Sequence, residues 1–212
     1  MECASRHRCF IYEGPPSRQL PALVAMVSEQ LELNNRCLYL NSPPMVAGMR
    51  SYLAASGVDV AGETERRSLI LSSELNLADG DRFDVQRMVG ALRNALEQAL
   101  DAGYRGLWAT GDMSWEFGPA KDFSMLLEYE WALEEFMHAN PQMSGICQYR
   151  SDLLPREAMR HGVITHPGVF VNQTLSMINP QYLRPEQYTR EAGEGIELDR
   201  FINKLISQDP PN

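Results

Sequence analysis

The stretch HRCFIYEGPPSRQLPALVAMVSEQL, residues 7–31, decides the fold. His7 to Glu13 is a short apolar run, and a glycine and two prolines follow it. Leu20, Leu23, Val24, Val27 and Leu31 then fall on one helical face. Strand, tight loop and amphipathic helix together open a βαβ unit. The same alternation recurs outward along the chain. Strands are expected at Arg36–Asn41, Ser68–Ser72, Gly106–Thr110, Gly145–Tyr149 and near Val169. Between them, Pro43-Pro44 opens a helix that Gly57 ends, and Val85, Met88, Val89, Leu92, Leu96 and Ala99 mark another that Gly103 stops. A fourth helix is expected from about Ala120 to His138, a short one near Pro155, and a last one over Ile196–Ile206. This alternation predicts an α/β fold, a mainly parallel sheet with helices on both faces and a C-terminal helical extension.

The loop after the first strand is where a phosphate cradle would sit. Such a cradle needs GxxxxGK[ST], so that backbone N–H groups and an ammonium surround the phosphates. Here Gly14 precedes Pro15 and Pro16, which have no N–H, and the only lysines are Lys121 and Lys204. The place is right and the chemistry is missing. The dinucleotide pattern GxGxxG is absent as well.

Composition narrows the partners. The net charge is −9 and there is no basic run, which argues against direct nucleic-acid binding and against anionic membranes. No signal peptide or membrane-length apolar stretch is visible, so a cytoplasmic protein is expected. Cys3, Cys9, Cys37 and Cys147 are scattered, without a CxxC pair, and do not read as a disulfide framework.

In a parallel sheet, ligands bind at the carboxyl ends of strands. Four segments should converge there: Glu13–Ser17, Asn41-Ser42, GDMSWEF at residues 111–117, and Gln148–Arg150. Asp112 stands where sheet ATPases often keep a magnesium-binding acid, or it simply caps the turn. Trp115 is either a ligand-facing indole or plain core. On the fourth helix, Glu130 and Glu134 fall inside the arc of Phe123, Leu126, Leu127, Leu133 and Met137. An acid on a buried face is costly unless paired, so Glu130 either sits on a wet helix edge bonded to Arg105 or Arg150 or is a carboxylate aimed at a pocket. His166, before Pro167, reads first as structural. His7 and Cys147 are the residues that would join it in a metal site, but no ligand spacing supports one, and neither metal nor cofactor is expected.

Taken in order, Gly103-Tyr104, Gly111-Asp112-Met113-Ser114-Trp115, Glu128-Tyr129-Glu130, Cys147-Gln148-Tyr149 and His166-Pro167, with His7 in the first strand, resemble the MEDS domain. The resemblance covers about residues 6–175. It implies a sensory domain over residues 1–174 and an extension over 175–212. It also implies a KaiC/RecA-like three-layer fold that has lost its nucleotide motifs, and the sensing of small hydrocarbon derivatives in bacterial or archaeal signal transduction. The family tends to carry Glu where this chain has Asp112, one methylene shorter. No DNA-binding or kinase module is seen, so the signal is expected to pass to a partner such as a histidine kinase or a transcription regulator, with a homo-oligomer allowed. The ligand-binding set expected on this basis is Asp112, Trp115, Glu130, Tyr149 and His166, around one cavity at the carboxyl edge. Two other readings stand beside the sensor: an enzyme using Asp112 and Glu130 as general acid and base, and an interaction module on an inactive ATPase fold.

Overall fold

The apolar runs become strands because they are short, rich in β-branched and aromatic residues, and bounded by turn residues. A computed structural model describes residues 6–74, 78–79, 82–117, 123–170 and 176–206. In chain order the elements begin with β1 (His7–Tyr12), α1 (Leu20–Glu32), β2 (Arg36–Leu40), α2 (Pro43–Ala55), α3 (Val60–Glu65) and β3 (Leu69–Ser72). A small hairpin of β4 (Ala78–Asp79) and β5 (Arg82–Phe83) precedes α4 (Val85–Asp101). Next come β6 (Leu107–Asp112), the helical turn α5 (Met113–Glu116), α6 (Leu126–Ala139), β7 (Met143–Arg150), α7 (Arg156–Thr165) and β8 (Gly168–Phe170). β9 (Ser176–Ile178), α8 (Arg190–Glu194) and α9 (Leu198–Ile206) close the described chain.

The sheet order is β3-β2-β6-β7-β1-β8-β9. Its first six strands are all parallel, and β9 pairs antiparallel with β8 at the edge. Side chains alternate across the pleat, so each strand feeds two cores. On one face Cys9, Ile11, Leu107, Met143, Cys147, Tyr149 and Val169 meet α4, α6, α7 and α9. On the other, Phe10, Tyr12, Cys37, Tyr39, Trp108, Ile146 and Phe170 meet α1 and α2. The expected parallel α/β sheet with helices on both faces is the fold observed.

Two boundaries differ from expectation. β6 runs on through Gly111 and Asp112, so GDMSWEF is a strand end followed by a helical turn and not simply a loop. Asp112 makes that turn possible, because its Oδ1 accepts from the Ser114 N–H at 2.9 Å. The fourth helix is helical from Leu126, and residues 118–122, where it was expected to begin, lie outside the described residues. The segment after residue 174 joins the main sheet through β9, and α9 places Leu198 and Phe201 in the first core. Among the described residues no helix is long and apolar enough to cross a membrane.

Candidate functional site

α6 buries Leu126, Tyr129, Glu130, Leu133, Phe136 and Met137, a stripe at helical spacing with an acid in its middle. Glu130 is 0% exposed. Its partners are neither Arg105 nor Arg150. The Tyr149 hydroxyl donates a short hydrogen bond to Oε1. His7 Nε2 lies 3.3 Å from Oε2, His166 Nε2 lies 3.4 Å away, and Cys147 Sγ lies 3.6 Å away. His7 opens β1, Cys147 and Tyr149 point to the same face of β7, and His166 follows the last residue of α7. Four elements therefore converge on one carboxylate, sealed between the sheet and the helices α6 and α7.

A shell of further contacts orients this centre. His7 Nδ1 lies 3.0 Å from Glu134 Oε2, one helical turn after Glu130 and partly exposed. His166 Nδ1 lies 2.7 Å from the Gly162 carbonyl oxygen. A carbonyl only accepts, so Nδ1 carries the proton and Nε2 presents its lone pair to the centre. The His7 and His166 ring centroids lie 4.0 Å apart, with the ring planes tilted by 42°. Gly162 has no Cβ for a structural reason: one built there would lie 2.5 Å from Tyr149 Cε1 and 2.6 Å from its Cζ. Glycine at 162 is what lets the Tyr149 ring lie against α7.

Burial and charge divide the work between the histidines. Burial alone would lower the His7 imidazole, but bonds to Glu130 and Glu134 outweigh it and raise it to about 9. His166 is pushed down to about 3, by burial first and then by the neighbouring His7. Burial alone would raise the Glu130 carboxyl. The His7 imidazolium, through its hydrogen bond and its charge, and the Tyr149 donor outweigh that and hold it below its ordinary value. The centre is thus an imidazolium at His7, a carboxylate at Glu130 and a neutral His166.

A second polar group occupies the carboxyl ends of the strands, on the opposite face. The Tyr12 hydroxyl donates to Asp112 Oδ2 at 2.7 Å, and Asp112 is 2% exposed. Gln148 Nε2 donates to Thr110 Oγ1 at 2.9 Å, and Thr110 donates to the Ile146 carbonyl at 2.7 Å. Asn41 Nδ2 donates to the Tyr39 hydroxyl at 3.1 Å. In the loop after β1, Gly14 takes φ 87°, and its N–H donates to Asp152 Oδ1 at 3.3 Å.

The five expected site residues therefore separate. Glu130, Tyr149 and His166 meet. Asp112 lies on the other face, because it is in register with Gln148, whose side chain points opposite to that of Tyr149. Trp115, on α5, is half-buried and belongs to neither core cluster. The sheet thus has Asp112 at the carboxyl edge on one face and the histidine-containing centre on the other. An acid–base pair of Asp112 with Glu130 is likewise not assembled. His7 and Cys147 belong to the centre although their spacing in sequence gave no ligand pattern. The signal that could have placed them is parity: His7, Cys9 and Ile11 share one face of β1, and Cys147 and Tyr149 share that same face of β7.

These features define a parallel α/β domain with a Gly-Pro-Pro loop after β1 and a buried His/Glu/Cys centre. The profile of the MEDS domain, the methanogen/methylotroph, DcmR sensory domain, matches residues 6–167, which is more than half of the 212-residue chain. The protein belongs to the MEDS family, a family of sensory domains, and its role is accordingly in sensing and signal transduction. No curated protein matches the chain at a significant level.

Proposed function

We propose that this domain senses a small, uncharged hydrocarbon derivative at the carboxyl edge of its sheet, on a degenerate ATPase fold that does not bind nucleotide. One observation carries the reading: the carboxylate at the magnesium position is already engaged. Asp112 accepts from Tyr12 through one oxygen and from Ser114 through the other. The neighbouring loop supports it, since Pro15 and Pro16 lack N–H groups and the Gly14 N–H is held by Asp152. A phosphate placed there would face an aspartate and no lysine, whereas phosphate loops rely on aligned N–H groups and positive charge. What remains around Asp112 is phenol, amide and hydroxyl chemistry suited to a small neutral polar group. Trp115, three residues beyond Asp112, is the natural reporter, and a partner such as a histidine kinase or a transcription regulator receives the signal.

The test is calorimetry with Mg-ATP, followed by tryptophan fluorescence against a panel of short alcohols, aldehydes and halomethanes. Absence of Mg-ATP binding, with a saturable fluorescence change that Trp115→Phe removes, is expected. Micromolar Mg-ATP binding would refute the reading.

A further inference from the structure

The buried centre contains an electrostatic conflict that its own residues do not resolve. His166 Nε2 carries a lone pair, is fully buried, and has no hydrogen-bond donor facing it among the described residues. At 3.4 Å it confronts Oε2 of Glu130, which also only accepts. An acceptor aimed at an acceptor in a dry interior is unfavourable unless a cation lies between them.

We propose that His7 Nε2, Glu130 Oε2, Cys147 Sγ and His166 Nε2 bind a divalent transition-metal ion of the zinc class. These donor atoms all lie within 4.8 Å of one another. Tetrahedral zinc takes nitrogen and oxygen at about 2.0–2.2 Å and sulfur at about 2.3 Å, which places neighbouring donors roughly 3.3–3.8 Å apart. Glu130 Oε2 stands 3.3, 3.4 and 3.6 Å from His7, His166 and Cys147 respectively, and Cys147 Sγ stands 3.6 Å from His7 Nε2. Those four separations are already tetrahedral edges. Two imidazoles, a thiolate and one carboxylate suit a borderline-soft ion, and the set has too few oxygens for calcium or magnesium.

The surrounding contacts are those a metal centre requires. Glu134 takes the far nitrogen of His7, the Gly162 carbonyl takes that of His166, and Tyr149 holds the second oxygen of Glu130. Because all four donors come from the protein, the sphere is closed, as in structural or metal-sensing sites and unlike a hydrolytic centre with an open position. The site is separate from the Asp112 edge, and the two stand or fall independently.

The full chain, stripped with chelator and confirmed folded by circular dichroism, is titrated with Co²⁺ and then Zn²⁺. One equivalent of Co²⁺ is expected to produce tetrahedral visible bands and a sulfur-to-cobalt charge-transfer band, both abolished by one equivalent of Zn²⁺. Cys147→Ser should remove the charge-transfer band, while Cys37→Ala keeps it. Glu134→Gln, at a partly exposed position that leaves all four donors intact, should weaken affinity about 10–100-fold. A folded wild-type chain that takes up no stoichiometric Co²⁺ would overturn the proposal. So would a charge-transfer band unchanged by Cys147→Ser, or an affinity unchanged by Glu134→Gln.

Discussion

Replacing Glu130 by alanine isolates what the buried centre does for stability. In metal-free buffer the change takes the more deeply buried of two carboxylates away from a His7 imidazolium that is 1% exposed, with Glu134 still beside it. It also removes the acceptor of the Tyr149 hydroxyl, which is itself fully buried. Losing one partner of a buried ion pair costs about 3–5 kcal/mol, and an orphaned buried hydroxyl alone accounts for about 1–3 of that range. Glu135→Ala, five residues on and exposed, should stay within about 0.5 kcal/mol of the parent. With a urea slope of about 3 kcal/mol/M for a domain of this size, Glu130→Ala should lower the unfolding midpoint by roughly 1 M or more. The assay is urea unfolding followed by far-UV circular dichroism. The pair His7→Phe with Glu130→Leu should recover the ion-pair part of the loss, because no buried ion is left uncompensated, but not the part due to the Tyr149 hydroxyl, which still lacks its acceptor. Midpoints for Glu130→Ala and Glu135→Ala that agree within error would refute the reasoning.

Gly162→Ala should destabilise by about 1–3 kcal/mol, because its methyl group would overlap the buried Tyr149 ring and the core cannot shift freely; the same unfolding assay checks it. Cys37 is a buried thiol that burial pushes up to about 12, so in the native protein at pH 8 it should resist iodoacetamide, and it should react readily once the chain is unfolded. Peptide mass spectrometry after a timed pulse reads the difference, and rapid native labelling of Cys37 would contradict the burial.

The order of strands and helices is legible in the chain because each element carries its own period. Val85, Met88, Leu92 and Leu96 announce a helix wherever it packs, and Leu69 to Leu71 announces a strand between turn residues. The lack of a GxxxxGK[ST] pattern is equally local: two prolines after Gly14 remove N–H donors in any fold. The apolar arc around Glu130 shows from sequence alone that an acid is buried. Which groups receive it is not local. His7 lies 127 residues from Glu134 and 140 from Cys147, and only the pairing of β1 with β7 in the middle of the sheet brings them together. The pairing of β6 with β7 separates Asp112 from Glu130. Cys147-Gln148-Tyr149 is continuous in sequence, but the pleat sends Gln148 toward Asp112 and its two neighbours toward Glu130. Local periodicity fixes what each segment becomes, while strand register and parity, set by the packing of the whole sheet, decide which side chains share a centre.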